Sequence, residues 1–410
     1  MGRFTGLIGI LLILGIAFLV SNNKRRINVR LVLSGLALQL CIALLVLKVP
    51  AVNQFFQMLG KGMQKLEGFA KEGASFVYGG IGTFGPTGQL VNYGMAPVFV
   101  FAFNITATII LVCVLVAILY HLRVMQFLVS IVARAMNFVM RVSGAEALSN
   151  VASAFVGQVE AQVMIRAYLP TMTRSELLAS MSGSLACIAG GILIVYANMG
   201  ARPDYLIAAS LMAAPGALVI SKIVFPETEE SPTMGKVKLD VKSDYTNLVD
   251  AITHGAADGF KIAMNVIAML IGFIALIAMV NWMLGHLYHG LSLDFIFGKL
   301  FYPFAWAMGV PQQDIQNAAT LLGQKLTVNE FVAFKSLTTS AVPVVTPKGL
   351  TIITIAICGF ANFSSVGMQI GGIGALAPER RGDLAKLGMK ALLCGTLASY
   401  LSATIAGMLV

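Results

Sequence analysis

Eight apolar runs, each close to the length of a membrane span, restrict more than anything else how this chain can fold. They occupy residues 4–20, 31–48, 95–121, 177–200, 204–222, 260–285, 349–373 and 388–409, numbered here as spans one to eight. A helix needs about 20 residues to cross the hydrocarbon layer of a bilayer. Composition agrees: 58% of residues are hydrophobic and only 11% are charged, against about 25% charged in an ordinary soluble domain. So little charge cannot cover a soluble surface of this size, and lipid must cover much of it. The expected fold class is an all-α polytopic membrane protein embedded in the lipid bilayer.

Two further stretches, 145–168 and 314–340, are fairly apolar but are interrupted by Gly, Gln, Asn and a carboxylate. Neither reads as a straight span. Irregular backbone at membrane depth is tolerated only where protein or a watery cavity surrounds it, so both are expected to be re-entrant hairpins. Lys24, Arg25, Arg26 and Arg30 follow span one, which the positive-inside rule reads as a cytoplasmic loop with the N-terminus outside. Alternation then puts Arg123, Arg134, Arg141, Arg166, Arg174, Arg380 and Arg381 inside, and the C-terminus outside. Lys61, Lys65 and Lys71 fall on the other side.

The order span, hairpin, span, span then occurs twice, over about 95–222 and 260–409, from opposite sides of the membrane. That is an inverted-topology repeat, which places a substrate site near the midplane where the interrupted segments meet. The expected organisation is 1–94 for the two N-terminal spans and an interfacial helix, 95–222 for the first repeat, 223–259 for a cytoplasmic polar linker and 260–410 for the second repeat. The interfacial helix covers 52–72, where Phe55, Leu59, Met63, Leu66 and Phe69 form an apolar stripe with Lys61, Lys65 and Glu67 between them. Phe295 to Met308, broken by Pro303, is expected to lie similarly.

Other classes find little support. The formal charge of +10 is spread between apolar runs rather than gathered into a patch, as suits anionic headgroups and not nucleic acid. Cys41, Cys113, Cys187, Cys358 and Cys394 show no paired spacing, so neither a disulfide framework nor a zinc site is expected. His286 and His289 are read as a helix end; no metal and no cofactor are expected. Arg3 and the first run lack a small-residue cleavage site and are read as a retained span. The intramembrane acids come without a nucleophile or matched histidines, so an enzyme is not expected. No charge ring or repeated filter motif suggests a channel.

Ionisable groups inside a membrane are expensive and default to function. Glu160 sits among Val156, Val159, Val163 and Met164, and Glu330 among Val328, Asn329, Phe331, Val332 and Ala333. Both are expected to be buried, beside the amides of Gln158 and Asn329, with Lys325 and Lys335 near enough in sequence to pair with Glu330. In span seven, Gly359 to Ser365 interrupts the helix with Asn362, Ser364 and Ser365. In span four, Ser182-Gly183-Ser184 and Ala189-Gly190-Gly191 read as close-packing residues.

These residues resemble the concentrative nucleoside transporters along nearly the whole chain. The matching motifs are Gly157-Gln158-Val159-Glu160-Ala161 with Arg166 after it, Met181 to Gly191, Ala213-Ala214-Pro215-Gly216, Pro226-Glu227-Thr228-Glu229, Asn329-Glu330-Phe331-Val332-Ala333 and Gly359 to Ser365. The resemblance implies eight transmembrane helices plus two opposed re-entrant hairpins, in a homotrimer of the bacterial inner membrane, importing nucleosides with a cation. It implies that Gly157, Gln158, Val159 and Glu160 face the nucleobase, with Ile192 packing on it. Glu330, Asn362 and Ser365 would hold the ribose hydroxyls, with Phe360 nearby. Three positions depart from the family's pattern: Val159 where Thr or Ser is common, Gln162 where Pro follows Glu-Ala, and Ala167 where Pro follows Arg.

The resemblance also bears on the ion. Sodium-coupled members use an Asn at the position of Ser153 and a Ser at the position of Cys187, with the backbone carbonyls of Val156 and Ile188 here. A hard cation prefers oxygen, and a thiol is a poor replacement. Proton coupling is therefore expected, with sodium as the alternative. A carboxyl group withdrawn from water favours its neutral form, so Glu160 or Glu330 is the expected proton carrier.

Overall fold

The computed structural model describes residues 2–78, 83–84, 90–91, 101–234 and 245–410. Apart from a two-residue antiparallel pair, Thr83–Phe84 with Leu90–Val91, its regular structure is helical. The first part of the chain gives α1 (Gly2–Leu19), α2 (Val29–Lys48), α3 (Pro50–Tyr78), α4 (Phe101–His121) and α5 (Val124–Met140). Then come the short helices α6 (Gly144–Ser153) and α7 (Glu160–Val163), α8 (Arg174–Ala186) and α9 (Gly190–Asn198), and the long α10 (Pro203–Val224). A comparable order follows: α11 (Leu248–Leu287), α12 (Leu293–Leu300) and α13 (Tyr302–Ala307), the pair α14 (Ile315–Thr327) and α15 (Glu330–Thr338), the pair α16 (Pro347–Ile357) and α17 (Phe363–Leu376), and α18 (Arg381–Leu409).

Among the described residues, Val29–Lys48, Pro203–Val224 and Pro378–Leu409 are unbroken and apolar enough to cross a membrane. Thr106–His121 and Val124–Met140 form a further pair bent by 76°. Thr5–Leu19, Ile274–Leu287, Pro347–Ile357 and Phe363–Leu376 are shorter apolar helices. Residues 95–100 of span three lie outside the described residues. The bend follows Arg123, whose φ of 61° is left-handed, a conformation that ends a right-handed helix. Residues 124–140, which the alternation places with Arg123, Arg134 and Arg141 on the cytoplasmic side, form the helix α5. Its buried Met125, Val129, Ala133, Met136 and Met140 recur at helical spacing.

The core is built on α10 and α18, buried along nearly their whole length. α10 is rich in Ala and α18 in Ala and Gly, small residues that let membrane helices approach closely. Gln39 of α2 joins them: its Nε2 donates to the Met212 carbonyl at 2.9 Å, in the turn loosened by Pro215, and to Ser402 Oγ at 3.1 Å. A Cβ on Gly216 would stand 2.3 Å from that amide nitrogen. α11 packs along α4 through Gly255 and Gly259, a Gly-x-x-x-Gly pair. Added Cβ atoms there would meet Val114 Cα at 2.8 Å and Ile110 Cα at 2.7 Å.

Candidate substrate site

Spans four and seven are each broken, and the breaks cross. α8 stops at Ala186 and α9 starts at Gly190; α16 stops at Ile357 and α17 starts at Phe363. Backbone groups released by the breaks find each other: Phe360 N–H donates to the Cys187 carbonyl at 3.2 Å, and Gly190 N–H donates to the Phe155 carbonyl at 3.1 Å. Buried peptide groups need such partners. Added Cβ atoms on Gly359 and Gly190 would lie 2.2 Å from the Ala186 carbonyl oxygen and 2.8 Å from that of Phe155. Gly190 thus packs closely, as read from the sequence, and it also begins α9 after the break. Gly183 keeps the packing role, since its Cβ would stand 1.9 Å from Asn150 Oδ1.

Glu330 opens α15, whose first turn Asn329 caps by accepting the Val332 N–H at 2.9 Å. The Glu330 carboxylate is buried and receives one donor on each oxygen, Tyr196 Oη at 2.9 Å and Asn362 Nδ2 at 2.8 Å. Asn362 also caps α17, its Oδ1 accepting Ser365 N–H at 2.8 Å. Glu330 and Asn362 thus meet, with Ser365 in the first turn that Asn362 caps, a grouping that the family resemblance implies. Phe360, at the break, and Ile192, in the first turn of α9, are both partly buried. Tyr196 lies one turn after Ile192 on the same helix, and its ring stacks on Phe334 at 4.4 Å. Lys325 is completely buried, its Nζ without a hydrogen-bond partner among the described residues. It forms no direct ion pair with Glu330, though the two act on each other electrostatically. Lys335 is exposed.

The Gly157-to-Glu160 motif lies between α6 and α7 and reaches α17. Gln158 Nε2 contacts Met368 Sδ at 3.8 Å, and its Oε1 has no hydrogen-bond partner among the described residues. A Cβ on Gly372 would meet Val159 Cγ1 at 2.8 Å. The Glu160 carboxylate folds back over Gly157, where a Cβ would come within 2.3 Å of Glu160 Oε2. Glu160 keeps accessible surface although protein surrounds it. Asp258 of α11 and Cys113 of α4 share its electrostatic surroundings. One helix, α17, therefore carries contacts to both acidic motifs: Asn362 to Glu330, and Met368 and Gly372 to the Gly157-to-Glu160 loop.

The four positions read as a degraded ion site are also close to internal partners. Ser153 Oγ donates to the Ser149 carbonyl at 2.8 Å. The Ile188 carbonyl accepts from Ser210 Oγ at 3.3 Å, and the Cys187 thiol points to the Ser210 carbonyl at 3.7 Å. Val156 is buried just after α6. Sequence reasoning missed Tyr196 and Asp258. A lone Tyr in an apolar run reads as packing, and Asp258 precedes span six in what reads as a polar linker.

Comparison with known proteins agrees from end to end. The family models for the N-terminus and C-terminus of Na+ dependent nucleoside transporters match residues 8–81 and 205–407, and a nucleoside recognition model named Gate matches 102–203. An uncharacterised transporter of Bacillus subtilis is 41% identical over 99% of both chains. Nucleoside permease NupC of Helicobacter pylori is 36% identical over 98% of this chain and 97% of that protein. The solved structure of CNTnw in an inward-facing substrate-bound state superposes with a TM-score of 0.92 at 38% identity, covering 100% of this chain and 98% of that one. The resemblance first read from motifs thus holds over the whole length, and the chain belongs to the concentrative nucleoside transporter family, a family of transporters and not of enzymes.

Proposed function

We propose that this chain is a secondary active symporter that imports nucleosides across the bacterial inner membrane and is driven by protons. The observation that carries the nucleoside reading is Glu330, a buried carboxylate with one side-chain donor on each oxygen among the described residues. Each oxygen keeps a lone pair free, so vicinal ribose hydroxyls can both donate to it. Gln158 Oε1, without a partner among the described residues, suits a donor on the base. Gly157, Val159, Glu160 and Ile192 then line the base, and Phe360, Asn362 and Ser365 the ribose. The eight spans, two opposed re-entrant hairpins, inverted repeat, homotrimer and outside termini belong to the same proposal.

Proton coupling rests on the groups around the ion positions. Cys187 offers sulfur where a hard cation needs oxygen, and Ser153 Oγ and the Ile188 carbonyl are already hydrogen-bonded. Glu160 keeps accessible surface beside the candidate site, as a carboxyl group that carries a proton with the substrate requires. Sodium coupling is the second reading, favoured by the family model's description. Uptake by the purified protein in proteoliposomes decides between them. An inward proton gradient is expected to drive uridine accumulation with choline replacing sodium, and uracil, lacking ribose, to enter far more slowly. Uptake that follows an imposed sodium gradient and ignores pH would overturn the coupling; equal uptake of uracil and uridine would overturn the role of Glu330.

A further inference from the structure

Gln162 stands two residues after the Gly157-to-Glu160 loop, completely buried, among four serines that are themselves no more than 1% exposed. Its Nε2 donates to Ser149 Oγ at 3.1 Å and to Ser184 Oγ at 2.8 Å, and its Oε1 accepts from Ser180 Oγ at 2.7 Å. Ser149 and Ser180 hydroxyls are 2.5 Å apart, and Ser153 and Ser184 hydroxyls 2.8 Å apart. One assignment of protons satisfies every group. Ser180 donates to the amide oxygen, Ser149 to Ser180, Ser184 to Ser153, and Ser153 to the Ser149 carbonyl. Each hydroxyl then donates once, and both amide hydrogens are used.

The network joins three pieces of chain: α6 through Ser149 and Ser153, α7 through Gln162, and α8 through Ser180 and Ser184. A single side-chain amide therefore ties both limbs of the first hairpin to the first half of span four. It also uses the Ser153 hydroxyl, the side-chain oxygen a cation would otherwise take at this junction.

We propose that Gln162 and its serines are a built-in clasp that replaces a bound cation in fixing the first hairpin to span four, so that nucleoside binding requires no sodium. This rests on the proton-coupled reading above. The physical logic is that of cross-linking. A cation among oxygens would hold the two elements by ligation; the amide holds the same elements by donating to two hydroxyls and accepting from a third. A fully satisfied buried network rigidifies its elements, while one missing member leaves several groups unpaired.

The test uses the full-length protein in nanodiscs and uridine binding measured by calorimetry in sodium chloride and in choline chloride. Wild-type affinity is expected to agree within about twofold between the two salts. Gln162→Ala should weaken uridine binding at least tenfold in both. Gln162→Glu keeps the shape but turns a donor pair into a carboxylate beside Ser149 and Ser184. Its uridine affinity should become sodium-dependent, at least tenfold tighter in sodium than in choline, a response that a purely structural role would not produce. Wild-type affinity in Gln162→Ala, or no difference between salts in Gln162→Glu, overturns the proposal. Sodium-dependent binding by the wild type overturns the coupling reading instead. The clasp is then read on its own from hydrogen exchange over residues 154–165, which must quicken in Gln162→Ala; unchanged exchange overturns it as well.

Discussion

Lys325 brings a charged group into the interior without a hydrogen bond to hold it among the described residues. A buried ammonium is tolerable only if another charge compensates it, and Glu330 is the carboxylate whose field reaches it. The interaction passes between groups that do not touch, so the two residues should be coupled energetically although neither is the other's ligand. Replacing Lys325 by Met leaves the Glu330 carboxylate without compensation; replacing Glu330 by Gln leaves the ammonium stranded. Each single variant should lower thermal stability, and the double variant should lose less than the sum, with a coupling of about 0.5–3 kcal/mol. Strict additivity in thermal unfolding of the ligand-free protein would show that the two charges are independent. Glu330, Asn362 and Glu160 were legible in the sequence because polar side chains in apolar runs are rare and costly. Tyr196 was not: its hydroxyl matters only because α15 carries Glu330 to 2.9 Å from it, and no local pattern encodes that meeting. The exposure of Glu160 was hidden for the same reason, since it depends on where α7 faces after the loop.

Helices in this protein are set as much by where they stop as by what they bury. Capping boxes open α6, with Ser143 and Glu146, and α8, with Thr173 and Glu176. Asn329 and Asn362 open the helices that carry the candidate ribose groups. These starts are written in the sequence as Ser, Thr or Asn at the boundary, while the interrupted segments were legible from Gly, Gln, Asn and a carboxylate breaking apolar runs. The continuation of the bent pair into α5 was not, because its basic residues resemble a loop while its Met and Val spacing is helical. The α4–α11 contact was also overlooked. Gly255 and Gly259 lie in what reads as a polar linker, yet they bring two backbones together so closely that no Cβ fits. Gly259→Leu should force these helices apart and lower stability by about 1–3 kcal/mol, measured as a drop in unfolding temperature. Leucine at Gly272, where nothing lies within 4 Å of an added Cβ, should change it little. Equal effects at both glycines would remove the close-packing explanation.

Across the whole molecule, one end of the helices gathers a cluster of basic residues and ion pairs. Asn22 N–H donates to the Val224 carbonyl at 2.9 Å, and Lys390 Nζ donates to Asn22 Oδ1 at 2.7 Å. That brings the Lys24–Arg26 turn beside the end of α10 and the start of α18. Lys222 bridges Glu146 at 2.8 Å and Glu227 at 3.2 Å. Arg380 donates to the Met172 carbonyl at 2.7 Å and pairs with Asp383, which also meets Arg174. At the other end of α1 and α18, a Cβ on Gly6 would lie 2.3 Å from Met408 Cγ, so the two chain termini are together and far from this cluster. Basic residues near span ends are retained in the cytoplasm, so the clustered end should face inward and both termini outward. The measurement uses a protein with Cys41→Ser and Asn23→Cys, treated in intact cells with a membrane-impermeant maleimide, and a phosphatase fused after Val410. Position 23 should label only after permeabilisation, and the fusion should be active. The reverse pattern would turn the transporter over and make α6 open to the outside. Nucleosides would then meet the first hairpin before the second, so the same labelling fixes which acidic motif an incoming substrate encounters first.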